Sequence, residues 1–310
     1  VELSRQAGHL VPAEACNYDE EAAWQRLKEV APSWRRVDQC QALLVPGIEM
    51  LREDTTDLLE ALFRALDKLG DLVVGVTRDS VRECGHHPYA LGHQDLAEDM
   101  AKTSRKRFAR YSKVVFASPH CASFVRLKWP EAGLHLDKQY ATLLEFLGRR
   151  IDFSRAGFYD RKVTYHDPCH TGRHLNKFEV DEDGSKLWKG AYVGVDEQEC
   201  LYDIPRELLQ AIPGIEFTEM ERIRDNSYCC GGGGGVMTGY GDWAAKNASK
   251  RIEEGMRTGA EKMVSICPFC HYNLNEGAKR IDSEMELVDL VELMDQVTVD
   301  KEMTRKVREV

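Results

Sequence analysis

Short apolar runs alternate along this chain with stretches whose apolar residues recur at helical spacing. Residues 41–45 (Gln-Ala-Leu-Leu-Val) have no polar face and stop at Pro46-Gly47, the pattern of a buried strand. Over 55–69 the apolar positions are Leu58, Leu59, Leu62, Phe63, Leu66 and Leu69, with Gly70 as the stop, which predicts an amphipathic helix. A second strand is expected at 71–76, then a loop holding Glu83-Cys84-Gly85-His86-His87. A helix over 95–110 and a strand over 113–117 follow, the strand running into Ser118-Pro119-His120-Cys121. Residues 1–38 are polar with a helical flavour, clearest over 20–30, and carry no readable chemistry.

The second half repeats this plan. A strand at 162–165 ends at His166-Asp167-Pro168-Cys169, and a polar stretch over 177–200 looks inserted. A short helix at 204–211 and a strand at 215–218 lead to Ser227-Tyr228-Cys229-Cys230 and five glycines, 231–235. Asp242 is the expected cap of a helix reaching Met256. A strand at 261–266 ends in Cys267-Pro268-Phe269-Cys270, with a helix expected from about Tyr272.

Alternation of this kind predicts an α/β fold with parallel sheets. The punctuation repeats as well: Pro46-Gly47-Ile48 matches Asp167-Pro168-Cys169, Glu83-Cys84-Gly85 matches Cys229-Cys230-Gly231, and Ser118-Pro119-His120-Cys121 matches Cys267-Pro268-Phe269-Cys270. The expected architecture is therefore an internal duplication, two Rossmann-like parallel-sheet halves with helices on both faces. Its parts are a helical extension over 1–38, a first half over 39–155 that has lost three of five cysteines, and a second half over 156–310.

Composition narrows the partners. With 310 residues, 43% hydrophobic and 30% charged, the chain reads as globular. A net charge of −10 without a basic tract argues against nucleic acid, and no apolar run is long enough to span a membrane. No signal peptide is legible, and an opening on Val rather than Met suggests a processed or truncated product. Ten cysteines without a secretory signal point to metal binding or redox chemistry rather than disulfides.

Strand ends are where open α/β sheets bind ligands, so Cys169, Cys229, Cys230, Cys267 and Cys270 should share one crevice. A structural zinc on Cys267, Cys270 and two others would leave one thiol over, because tetrahedral zinc takes four ligands. A phosphate loop would need a Gly-Lys-Ser/Thr that does not follow the glycines. An excess of soft thiolates points instead to an iron–sulfur cluster. Gly231, Gly232 and Gly233 would then give sulfide room and backbone N–H donors.

A Cys, a Cys-Cys-Gly and a Cys-x-x-Cys in this order resemble the CCG domain of heterodisulfide-reductase catalytic subunits. The resemblance covers roughly residues 40–275. The wording His166-Asp-Pro-Cys-His-Thr-Gly-Arg173, Cys229-Cys-Gly-Gly-Gly-Gly-Gly-Val-Met-Thr238 and Cys267-Pro-Phe-Cys-His-Tyr-Asn-Leu274 is most similar to the DsrK type of Dsr membrane complexes. The resemblance implies one noncubane 4Fe-4S cluster on Cys169, Cys229, Cys230, Cys267 and Cys270, reducing a disulfide or trisulfide on a DsrC-like small sulfur-carrier protein. It implies a membrane-anchored quinone-interacting subunit and other Dsr complex subunits as partners. Ferredoxin-type clusters would come from a missing N-terminal region or another subunit, and the location would be cytoplasmic, on the inner face of the membrane. Two features depart from the family: the 59 residues between Cys169 and Cys229, and Ile48, Glu83 and Ser118 in place of cysteines. Other CCG proteins serve lactate, glycolate or glycerol-3-phosphate oxidation, and a non-catalytic scaffold with a structural metal is a further alternative.

Lesser candidates remain. His166, His170, His174 and His271 flank the cysteines; His170 and His271, each next to a ligand, are the candidates for protonating a thiolate. Cys84 and Cys121 are buried remnants or residues that meet the substrate sulfur. Arg173 is solvated or holds an acidic partner. Cys16, Cys40 and Cys200 are expected to be structural, and Trp24, Trp34, Trp129, Trp188 and Trp243 to pack.

Overall fold

The structure is a computed structural model describing residues 16, 18–52, 55–70, 73–136, 139–148, 150–180, 186–192 and 201–298. Among these, the first half runs α1 (Glu20–Val30), β1 (Ala42–Val45), α2 (Thr56–Lys68), β2 (Val74–Gly75), α3 (His86–Ala90), α4 (Gln94–Phe108), β3 (Lys113–Phe116), α5 (Pro119–Glu131), β4 (Gln139–Thr142) and α6 (Leu143–Gly148). The second runs β5 (Arg161–Tyr165), α7 (Gly172–Leu175), β6 (Asn176–Val180), β7 (Lys186–Tyr192), α8 (Asp203–Ala211), β8 (Ile215–Phe217), α9 (Val236–Gly239), α10 (Gly241–Met256), β9 (Lys262–Ser265), α11 (Pro268–Arg280), β10 (Glu286–Asp289) and α12 (Leu290–Val297).

Each half holds a four-stranded parallel sheet. The orders are β2-β1-β3-β4 and, read from the matching edge, β8-β5-β9-β10. These are one topology used twice. Register makes the match residue by residue, because Leu44 pairs with Val115 as Tyr165 pairs with Val264. Counting on from these pairs, Ile48 stands where Cys169 does and Glu49 where His170 does. Ser118 and Cys121 likewise stand where Cys267 and Cys270 do.

The apolar stripe that predicts α2 forms the joint between the halves. Leu58, Leu62 and Leu66 are buried in one continuous core with Val291 and Met294 of α12. Each such side chain removed from water contributes about 1.5–3 kcal/mol. Arg64 and Lys68 of α2 both pair with Asp295 of α12 at 2.8 Å, closing the rim of that joint.

Several local expectations need correction. Each half carries a fourth strand, β4 or β10, which leads directly into a further helix, α6 or α12. The loop at 83–87 begins the short helix α3. Helix α11 starts at Pro268 rather than near Tyr272, since proline at a first helical position loses no hydrogen bond. Asp242 lies inside the first turn of α10 and makes no cap; its carboxylate pairs with Arg280 at 2.6 Å. Trp129 is buried, but Trp34 and Trp243 are exposed. The inserted stretch contains the antiparallel hairpin β6–β7. Cys200 and most of the 1–38 extension before Tyr18 lie outside the described residues.

Candidate metal centre

In the second sheet the chain leaves β5 for β8 on one side and reaches β9 on the other, so the loops beyond these strands diverge and open a crevice. Cys169 enters it from the loop after β5, and Cys229 and Cys230 from the loop after β8. Cys267 is the N-cap residue of α11, and Cys270 sits one turn on, on the same side of the helix. Sulfur contacts join Cys169 to Cys229, Cys229 to Cys230, Cys230 to Cys270 and Cys270 to Cys267 without a break. Cys230, Cys267 and Cys270 are buried and Cys169 and Cys229 half-buried, so the crevice opens on the latter side.

Five thiols this close compete for protons. Hydrogen bonding to Cys229 pushes Cys169 and Cys230 far up, and hydrogen bonding to Cys230 does the same to Cys270. Cys229, accepting from Cys169 and Cys230, is pulled down. One thiolate therefore ionises first, and the others follow only if cations arrive to compensate them.

The glycines set the backbone of the Cys-Cys turn. Gly231 has φ of 87°, and a Cβ there would stand 2.6 Å from Asn247 Nδ2. That close approach lets Asn247 Nδ2 donate to the Cys229 carbonyl at 2.9 Å, while Asn273 Nδ2 donates to the Cys230 carbonyl at 2.7 Å. With both carbonyls pinned, the N–H groups of Gly231 and Gly232 turn onto the sulfurs of Cys229 and Cys230, at 3.3 and 3.5 Å. A Cβ on Gly233 would meet only His120 Nε2, at 3.8 Å.

Buried polar groups hold the surrounding loops. Asp167 makes a two-pronged pair with Arg206, both contacts at 2.8 Å, and accepts from the Arg224 N–H at 2.8 Å. His166 is 1% exposed; Arg251 Nε donates to its Nδ1 at 3.1 Å, which leaves the proton on Nε2. Burial, followed by Arg251, depresses His166 to about 3, so the ring stays neutral. A ring nitrogen of His166 and the sulfurs of Cys230 and Cys270 lie within 4.8 Å of one another, and Nε2 has no protein partner. Arg251 itself is fully buried and is held by Glu254 at 2.9 Å.

The first half also reaches this crevice. His120 Nδ1 lies 3.9 Å from Cys267 Sγ, and its ring packs on Phe269, His170 and His86. His170 stacks on His174 at 4.1 Å, and its Nδ1 is 2.6 Å from Ser123 Oγ. His271 is placed differently: its ring feels Asp57, and its backbone N–H donates to the Cys267 carbonyl at 2.8 Å. Arg173 donates to the Ser227 carbonyl and so braces the Cys-Cys loop.

Cys84 and Cys121 lie apart from the five, in the first sheet's crevice, with their sulfurs 3.0 Å from each other. Burial pushes Cys84 up to about 11, and the hydrogen bond to Cys84 pushes Cys121 well above the ordinary thiol range. Cys16 lines a cavity of about 440 Å³ shared by the two halves, and Cys40 is half-buried near β2.

The motifs point to the sulfurs but not to what holds them. Asp167 and Asn273 stand within the cysteine motifs, which give them no role. Arg206, Arg251 and Asn247 carry no signal of their own, because a charged or amide residue on an amphipathic helix reads as solvated. His120 does carry one, its place in Ser118-Pro119-His120-Cys121.

Fold and site together define a protein built to hold a sulfur-ligated inorganic centre. Residues 163–275 match the family described as Cysteine-rich domain, CCG. One subunit of the dihydromethanophenazine:CoB–CoM heterodisulfide reductase from Methanosarcina acetivorans is 31% identical over 280 residues, 87% of this chain and 62% of that one. One subunit of the fumarate reductase (CoM/CoB) from Methanothermobacter marburgensis is 28% identical over 70% of this chain and 39% of its own. The probable iron-sulfur-binding oxidoreductase FadF of Bacillus subtilis is 27% identical over 69% and 28%. The chain is a homologue of that heterodisulfide reductase component and carries a CCG domain; it spans about three fifths or less of these relatives' length. The crevice fits an iron–sulfur cluster: all five donors are sulfur, glycine N–H groups point at them, and a buried imidazole N–H lacks any other acceptor. Among the described residues no helix is long and apolar enough to cross a membrane.

Proposed function

We propose that this chain is the disulfide-reducing iron–sulfur part of a larger oxidoreductase. Cys169, Cys229, Cys230, Cys267 and Cys270 would hold one noncubane 4Fe-4S cluster. The observation that carries the reading is the unbroken run of five sulfurs, joined by four contacts, at the switch point of the second sheet. When bound, such a cluster supplies single electrons and an iron that can take a sulfur ligand. The chain's own residues do the rest. The N–H groups of Gly231 and Gly232 donate to sulfur, which favours the charged form of the ligands, and His166 Nε2–H, without a protein partner, would be left to donate to a bound cluster. His120, Phe269 and His170 wall the crevice and keep water from it. His170, whose Nδ1 meets Ser123 Oγ and of which a ring nitrogen lies within 4.8 Å of Cys169 Sγ, would hold its N–H in that neighbourhood, whereas the ring of His271 feels Asp57 and has no part in this reading. Cys84 and Cys121 remain a buried thiol pair of the first half.

The substrate would be a disulfide or trisulfide on a DsrC-like sulfur carrier, with electrons from partner subunits of a Dsr-type complex bearing ferredoxin-type clusters. Homology to a heterodisulfide reductase component supports the reaction class, and the cavity between the halves supports an extended substrate. A second reading, electron transfer between a flavoprotein and quinone, draws on likeness to the EtfAB:quinone oxidoreductase of Syntrophomonas wolfei, 25% identical over 76% of this chain. EPR of the oxidised protein separates the two. A new paramagnetic signal on adding the thiol product is expected for disulfide chemistry; an unchanged spectrum would favour electron transfer.

A further inference from the structure

The crevice of the first sheet has kept its shape and exchanged sulfur for carboxylate. Glu83 stands in the place of Cys229, and its Oε1 accepts from the Gly85 N–H at 3.1 Å as Cys229 Sγ does from Gly231. Glu49 stands in the place of His170. Both glutamates are 6% exposed, and neither makes a salt bridge among the described residues. Glu49 Oε2 is buried without any hydrogen-bond partner. A buried acid with no cation against it normally keeps its proton.

The two side chains line the cavity of about 440 Å³, and the opposite wall is Met237, Pro268, Phe269 and Tyr272 of the second half. Pro268 and Phe269 lie between Cys267 and Cys270 in the chain, so this wall of the cavity is the segment that carries those two cysteines, although none of the five cysteines lines the cavity itself. Reduction of RS–SR′ takes two electrons and two protons and yields RSH and R′SH. A sulfur released as thiolate in this enclosed space needs a proton close by.

We propose that Glu49 and Glu83 form a carboxylic-acid pair that delivers the protons of disulfide reduction. Each thiolate formed when the S–S bond breaks takes H⁺ from a carboxyl group, and the carboxylate left behind is reprotonated from water through the cavity mouth. The electrons come from a one-electron donor protein by way of the centre proposed above, and the inference rests on that reading. Burial, then the neighbouring Glu83, raises Glu49 to about 8, and Glu83 is itself raised by burial. Arg52 opposes this, and Arg26 of α1 lies on the same cavity wall. Asp19 lies on the same wall, while Tyr18, Cys84 and Cys121 are raised and stay uncharged; the Cys84 S–H and the backbone N–H groups of Gly85 and His87 donate to Glu83 and oppose its rise, which burial outweighs. His87 and Tyr272 complete the titratable surroundings.

The test uses the cluster-loaded protein and the variants Glu49→Gln and Glu83→Gln. Infrared spectra at neutral pH should show the carbonyl stretch of protonated carboxyls, with one component that is lost in Glu49→Gln and titrates away near pH 8 in the parent protein, and a second that is lost in Glu83→Gln; the component of Asp289 stays in both variants. Turnover with a disulfide substrate should fall about 10²-fold in Glu49→Gln with KM and iron content unchanged, the usual size of a lost general acid. Parent-level turnover in both variants, or an infrared difference showing only ionised carboxylate, would overturn the proposal. So would a stoichiometric divalent cation that is lost from Glu49→Gln. If thiols induce no EPR signal while the carboxyl band is present, it is the disulfide reading that fails; if the band is missing while the signal appears, it is the acid pair.

Discussion

Gly85 and Gly231 occupy the same place in the two halves, with φ of 93° and 87°. Each turns its N–H back onto the side chain two residues earlier, a carboxylate in one case and a thiol in the other. Beyond each turn a helix begins with proline, and it carries Cys121 or Cys270 in its first turn. Cys84 touches Cys121 as Cys230 touches Cys270. The backbone is thus common property, and the difference lies in three residues: Ile48, Glu83 and Ser118 against Cys169, Cys229 and Cys267. Two sulfurs cannot hold what five can. The comparison shows that the doubly wound sheet fixes where a set of polar side chains will converge, while side-chain identity sets whether sulfur or carboxyl groups meet there.

Substituting ligands should separate the halves most sharply. Cys230→Ser is expected to abolish bound iron and its visible absorbance, whereas Cys84→Ser should leave both at parent levels; equal losses would break the comparison. Asp167→Asn removes a charge from a buried two-pronged pair with Arg206, and breaking such a pair costs about 3–5 kcal/mol, measurable by denaturant titration. Stability should also follow Glu49. Its acid is raised in the folded state from 4.5 to about 8, so its contribution is full below about pH 4.5 and lost as pH rises to about 8. Glu49→Gln should therefore flatten the decline in Tm between those values, although buried Asp289, also raised to about 8, keeps its own share. Gly231→Ala forces a positive φ on a residue with a side chain, about 1–2 kcal/mol, and should lower iron content with it. Gly85→Ala should cost more fold stability, because its Cβ would lie 2.4 Å from the fixed Ala97 carbonyl, yet spare the iron. Asp295→Asn, at the half-exposed seam with Arg64 and Lys68, should shift stability by less than about 1 kcal/mol.

Much of this is legible without coordinates. The strand runs at 41–45 and 113–117 and the stripe at Leu58, Leu62 and Leu66 announce themselves by period, because each buries one side completely. The five cysteines are legible because the motif sits at strand ends, and the topology brings strand ends together. What stays hidden is long-range. Arg251 and Glu254 look like surface charge on α10 until His166, 85 residues earlier, is seen against Arg251. Glu83 reads as a missing cysteine; that it lines one cavity with Glu49 is a matter of register and burial that no local pattern encodes. Strands β4 and β10 are lost because Gln139-Tyr-Ala-Thr142 and Glu286-Leu-Val-Asp289 hold only two apolar residues between polar ends and run straight into helices.

Iron and acid-labile sulfide counts on the purified chain test the central claim most directly. One cluster in the second half predicts about four of each per chain. About eight would mean that the carboxylate-lined crevice also holds a cluster, and zinc without iron would mean that the five thiols hold none.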